Sequence, residues 1–277
     1  MIKTISSISA SLKANTISSP LIAMWGITSY RVIALITVVV FTLLVNLGFW
    51  QLGRGEEKLL MEKQLQGREN LPYLSIERIP ENRADITGLK VKARLADTEL
   101  PLLYLDNQTL SGAVGYLVYQ PMQISGGNLS GPTRYLLAEL GFVAAGTSRE
   151  ELPDVAVRLP AGLIEGRVYS RSANPLSSDL MAEVVKEPSS ETQGSVRIQN
   201  LNFSQLNTLL DVPFAPFAIQ PDKLENWPLP QPWKPLPMPS SKHFGYALQW
   251  FVMAMVWAMI MLKVAISGYQ KIKKEML

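Results

Sequence analysis

One imidazole is available to this chain. His243 is the only histidine among 277 residues, and there is no cysteine. Chemistry that needs two histidines from one chain is excluded, together with disulfides, thiolate metal sites, cysteine nucleophiles and covalent CxxCH haem attachment. A serine hydrolase needs a base beside its nucleophile. No GxSxG occurs, and His243 stands at the start of an apolar run. A Ser-Lys dyad is formally open, but no pair of residues singles one out. Neither a Gly-rich phosphate loop nor HExxH is present. The carboxylates of Asp106, Glu139 and Asp179 are scattered, with no spacing that pairs them. These residues point to a binding or assembly module and not to an enzyme.

His243 opens the segment HFGYALQW, after Lys242. On a helix, positions 243, 246, 247, 250, 254 and 257 share a face. His243, Tyr246, Ala247, Trp250, Ala254 and Trp257 then form one stripe. A channel of small residues flanked by aromatics suits a flat apolar macrocycle, with the imidazole as axial ligand at one edge. The plainer reading is a histidine at a helix start in the headgroup zone, serving only as an interface residue. The residues by themselves leave both readings open. Asn46 is equally two-sided: an amide in hydrocarbon seeks a partner helix or bonds locally.

Two elements must position these groups. Val32 to Trp50 and Phe244 to Leu262 are uncharged runs of about 19 residues, near the roughly 20 that a helix needs to cross hydrocarbon about 30 Å thick. Trp50, Tyr246 and Trp250 sit near their ends, where amphipathic rings favour the headgroup boundary. The leader before Val32 is long for a signal peptide, and no small-x-small site follows Phe49, so the first span is expected to stay. Lys3, Lys13 and Arg31 precede it, and Lys263, Lys271, Lys273 and Lys274 follow the second run. Cytoplasmic flanks carry the excess of Lys and Arg, which sets both termini inside and the intervening residues outside.

The expected organisation is a cytoplasmic segment 1–31, a span 32–50, an external domain 51–242, a second span 243–263 and a basic tail 264–277. A bacterial inner membrane with the domain in the periplasm fits this best. The acid-free, Ser-rich segment 1–30 also resembles a mitochondrial transit peptide, which would put the same domain in the intermembrane space. A net charge of +3 gives no reason to expect a nucleic-acid partner.

After Trp50, Leu52, Leu59, Leu60 and Leu65 recur at roughly helical spacing, so the first span continues outward as an amphipathic helix until Gly67 and Pro72. From residue 86 the pattern turns to strands. Leu102 to Leu105 and Val114 to Ile124 are separated by a turn-like stretch, Asp106 to Gly112. Further strands are expected at Tyr135 to Ala145, Leu163 to Tyr169 and Val196 to Gln199, and Ser125 to Asn128 reads as a loop. Asn202 caps a short helix with Phe203, Leu206, Leu209 and Leu210 on its inner side, and Phe214 to Gln220 is a last strand. The fold class is a membrane protein of α+β type, with two transmembrane helices flanking a β-rich domain, a small barrel or a curved sheet, that holds one or two helices. Residues 221–240 hold seven prolines, so this segment is extended and stiff.

Leu47-Gly48-Phe49-Trp50-Gln51-Leu52-Gly53-Arg54 with Glu57-Lys58 resembles the LGxWQxxR…K signature of the surfeit-locus (Surf-one type) cytochrome c oxidase assembly proteins. Gly115 to Pro121 is similar to that family's GxxVxxP stretch, Leu136 to Val143 to its LVNRGFV strand, and His243 to Trp250 to its HxxYAxxW entry to the second span. Where the family has Asn-Arg, this chain has Glu139-Leu140, so no arginine role carries over there.

The resemblance covers about residues 40–265. It implies a non-enzymatic assembly factor for haem-copper oxidase that assists haem a insertion into the catalytic subunit. It also implies His243 as ligand to the haem iron, with Trp50, Gln51, Arg54, Tyr246 and Trp250 around the haem. Arg54 or Lys242 can pair with its propionates, the competing reading of Arg54 being a snorkelling or lipid-phosphate contact. Expected partners are the oxidase catalytic subunit, the haem a synthesis machinery, the lipid bilayer and further copies of the chain. With one histidine per chain, a second histidine ligand has to come from another copy or a partner; otherwise the haem is five-coordinate or uses another ligand type. The competing readings are a structural chaperone of the oxidase subunit that never touches haem, and a membrane-tethered binding module or hydrolase of another kind.

Overall fold

Hydrophobic periodicity sets the elements, and a computed structural model describes residues 20–79, 86–125, 135–170, 179–185, 194–222 and 224–275. In chain order these hold α1 (Pro20–Glu69), β1 (Leu74–Ser75), β2 (Lys90–Ala96), β3 (Leu103–Leu110), β4 (Ala113–Ile124), β5 (Tyr135–Ala144) and β6 (Gly162–Tyr169). There follow β7 (Glu183–Val185), β8 (Ser195–Ile198), α2 (Phe203–Leu210), β9 (Phe214–Pro221) and α3 (Ser240–Glu275). The chain divides into two units, residues 1–56 with 240–277, and residues 57–239.

The described residues of the first unit are helical. The stretches Arg31–Glu69 and Ser240–Gln270 are long and apolar enough to cross a membrane. Leu35, Val38, Leu248, Met255 and Leu262 lie on protein-free helix surface, as side chains facing lipid would.

The second unit is one mixed sheet of nine strands in the order β1-β2-β6-β9-β5-β4-β3-β8-β7. Its parallel pairs are β1 with β2, β3 with β8 and β5 with β9. β2 also meets β4 at Leu95–Ile124 and Ala96–Gln123. That seam of two residue pairs curls the sheet back on itself and stops short of a continuous barrel ladder. Side chains alternate across a strand, so β5 feeds two cores. Leu136, Ala138 and Leu140 join one cluster with Val91, Val118 and Ile219, whereas Leu137 joins another with Leu103, Ile198 and Leu206 of α2.

Several local expectations change. Asp106 to Leu110 is strand, not turn, and only Ser111 and Gly112 reverse the chain. The polar run is held in β3 by a bulge between Leu105 and Gln108, with Asn107 at φ 58° and its side-chain amide donating to Gln199 Oε1 (2.6 Å). Gly67 lies inside α1, which ends at Glu69. There Arg68 donates to the carbonyl of Thr87, fastening the last turn to the loop before β2. Asn202 does cap α2, accepting from Gln205 N at 3.1 Å. Leu206 is fully buried beneath it, but Leu209 is exposed and is not part of the inner face. The expected loop at Ser125 to Asn128 lies, apart from Ser125, outside the described residues.

The Pro-rich segment 224–239 contains neither helix nor strand and works as a strap on the sheet. β9 pairs with β5 as far as Ala138, and the strap takes up the backbone beyond. Gln231 Nε2 donates to Glu139 O (3.2 Å), Trp227 Nε1 to Leu140 O (2.6 Å) and Phe142 N to Pro230 O (2.8 Å). The crossing is tight: a Cβ on Gly141 (φ 134°) would lie 2.7 Å from Pro230 O. Leu224, Trp227 and Leu229 pack against the first core, and Trp233 stacks on Arg167 at 4.6 Å.

Candidate functional site

Small residues let two helices approach closely, and large ones fill the notches they leave. Gly48 and Gly55 of α1 are buried seven residues apart, and Phe251 and Phe244 of α3 have the same spacing. A Cβ on Gly48 would come within 2.6 Å of the Phe251 ring, and one on Gly55 within 2.6 Å of the Phe244 ring. Phe49 also meets Phe251 edge-on, with ring centroids 5.3 Å apart. The two helices are thus held in register by two Gly–Phe notches and, further along, by Trp257 Nε1 donating to Thr37 O (3.2 Å).

This register brings a polar pair together at the Ser240 end of α3. His243 Nδ1 lies 2.9 Å from Gln51 Oε1, and both side chains are half-buried. With the amide oxygen as acceptor, Nδ1–H is the donor. A hydrogen bond at one ring nitrogen fixes which tautomer a neutral imidazole adopts, so the Nε2 lone pair is left for another partner. Oriented imidazoles that ligate metals are held in this way.

The other expected site residues are placed differently. Trp50 and Tyr246 are exposed, Trp250 is half-buried, and the chains of Arg54 and Lys242 lie on the helix surface. Ala247 and Ala254 are buried on the side of α3 that carries Phe244 and Phe251. The small-residue stripe is therefore taken up by helix packing and is not an open channel for a macrocycle. Trp257 spends its indole N–H on α1, and Asn46 donates to Thr42 O four residues earlier (2.7 Å).

In the sheet unit the three scattered carboxylates serve different places. Asp106 accepts from Arg149 Nη2 (2.6 Å) and Gln199 Nε2 (2.9 Å). Burial raises its pKa, but the Asn107 N–H, Gln199 and Arg149 together outweigh burial and hold it below the ordinary value. Asp179 caps the turn at Met181 N (3.3 Å). Glu139 is buried in β5 and accepts from Gln220 Nε2 at 2.9 Å. Sequence reasoning missed the Gly48/Gly55 and Phe244/Phe251 notches, whose matching spacing was legible. It also missed the surroundings of Glu139, which come from strands far apart in the chain.

Two helices long and apolar enough to cross a membrane flank a mixed-sheet domain in the chain, an arrangement that suggests a membrane-anchored protein. The model of the SURF1 family matches residues 38–255, well over half of the chain, and the chain belongs to that family, a family of cytochrome c oxidase assembly factors. No curated protein matches it.

Proposed function

We propose that this protein assists haem a insertion into the catalytic subunit of cytochrome oxidase, with His243 Nε2 as a ligand to the haem iron. The observation that carries this reading is the Gln51–His243 hydrogen bond, which orients the only imidazole of the chain and leaves its second nitrogen for a metal. Haem iron accepts a single protein imidazole, and the donor set here fits that demand. Arg54 and Lys242 lie near Gln51 and His243 in sequence and offer cations suited to propionates. The exposed rings of Trp50 and Tyr246 offer flat apolar surface beside them. Bound haem a would supply the redox-active cargo, while the protein holds, orients and releases it.

The charge distribution supports both termini in the cytoplasm and residues 51–242 outside, in the periplasm of a bacterial inner membrane. With one histidine per chain, two histidine ligands to one haem require another copy or the oxidase subunit; otherwise the haem is five-coordinate or takes a ligand of another type.

The test is the absorption spectrum of the detergent-purified chain made in cells that synthesise haem a. The wild type is expected to carry the haem spectrum and His243→Ala to lose it while still inserting in the membrane. A His243→Ala chain with an undiminished spectrum removes the ligand assignment. A haem-free wild type that still co-purifies with the oxidase subunit favours a structural chaperone instead.

A further inference from the structure

Glu139 stands where β9 hands β5 over to the strap. Its carbonyl oxygen is held by Gln231 of the strap, and its carboxyl faces Gln220 on β9 and Tyr119 on β4, whose hydroxyl lies 3.5 Å away. Gln220 is also a bridge: its Nε2 donates to Glu139, and its Oε1 accepts from Arg167 Nη2 of β6 (3.4 Å). Arg167 is the cation whose field reaches Glu139. It is shared with Asp222 (Nε to Oδ1 3.2 Å), lies under Trp233 of the strap, and has its buried Nε without a hydrogen bond. Asp222 in turn accepts from Tyr73 (3.1 Å). The strap's own cation, Lys234, is turned away to Thr109 O (3.0 Å), and α2 carries no charged residue.

We propose that the strap is a latch on the sheet, closed while Glu139 holds its proton and loosened when the proton leaves. A neutral carboxyl accepts from the Gln220 amide at one oxygen and donates its proton to the Tyr119 hydroxyl oxygen from the other. A buried carboxylate needs a direct cationic partner, and Arg167 is the group placed to supply one. To turn toward Glu139 it leaves Trp233 and Asp222, and the strap loses its stacking contact beside three hydrogen bonds that converge on residues 139–142. Burial pushes the Glu139 carboxyl up to about 7, against the opposing pull of Gln220, Tyr119 and Arg167, so the switch falls near neutrality. Released, the strap slackens the chain immediately before Ser240, where α3 begins.

Hydrogen exchange on the full chain in detergent tests this at the Phe142 amide, which donates to Pro230. After correction for intrinsic exchange, wild-type protection is expected to fall tenfold or more between pH 6 and pH 8, whereas Glu139→Gln stays protected at both. Equal protection of the wild type at the two pH values, or the same loss in Glu139→Gln, overturns the proposal. If that variant does not fold, the cysteine-free chain offers a second readout. A nitroxide on Glu225→Cys, at an exposed strap position, gains mobility from pH 6 to pH 8 if the latch opens, and an unchanged line shape refutes it.

Discussion

In the helical unit Thr37 and Asn46 turn their side chains back onto carbonyls four residues earlier, whereas in the sheet unit Asp106 reaches Gln199, just beyond β8, and Glu139 reaches Gln220 on β9. The first pattern is self-contained. A helix offers a carbonyl within reach of almost any short polar side chain, so the amide of Asn46 says nothing about where the neighbouring helix lies. That information sits instead in shape, in glycines opposite phenylalanines. In a curved sheet local outlets are fewer, and Asp106, beyond the neighbouring Asn107 N–H, and Glu139 take partners far along the chain. Polar chemistry therefore specifies the tertiary arrangement of the sheet, while packing specifies that of the helix pair. The Gln51–His243 and Trp257–Thr37 bonds depart from this pattern in the helical unit, since each joins residues far apart in the chain.

The largest expected effect lies in the sheet unit. Leu206→Ala empties a fully buried position under α2 and is expected to lower the stability of the β-domain by about 3 kcal/mol, read from its thermal transition. A smaller loss would mean that α2 collapses onto the vacancy.

A pH titration separates the two kinds of buried carboxylate. The folded Glu139 keeps its proton up to about pH 7, whereas the unfolded chain gives it up near the ordinary value of 4.5. Stability thus falls as pH rises through that window and is level above it. Glu139→Gln removes the slope, leaving it more stable than the wild type at pH 8 by a gap on the order of 3 kcal/mol and about equal to it at pH 4. Asp106, held below its ordinary value, works with the opposite sign: its contribution is present above that value and lost as pH falls through the lowered one.

The helix pair provides the sharpest contrast and the smallest numbers. Gly48→Leu forces a side chain into the Phe251 ring and is expected to cost about 2 kcal/mol in helix–helix association. Asn46→Leu, in the same helix, is expected to change it by less than about 0.5 kcal/mol. Disulfide trapping between paired cysteines on α1 and α3 measures both. Equal effects would show that the amide, too, contributes to the seam.

Legibility followed the range of the interactions. The two apolar helices, the capped helix at Asn202 and most strands were readable because periodicity and capping are written within a few residues. Asp106 to Leu110 was misread because its polar side chains suggest a turn, while their partners Arg149 and Gln199 stand about 40 and 90 residues away. His243 stood out as a candidate from its uniqueness, its place at the head of an apolar run and the HFGYALQW motif it opens. That Gln51 orients it, and that Ala247 and Ala254 serve packing, depended on how two helices meet.

Sequence by itself determined that the chain has two apolar helices, one imidazole, no thiol and a strand-rich region between, since composition and periodicity are local properties. Tertiary structure alone decided that Glu139 lies buried at the root of the Pro-rich strap with Gln220, Tyr119 and Arg167 around it. Those four residues come from four separate strands, and the dielectric surroundings of a carboxyl exist only once the strands that exclude water have paired.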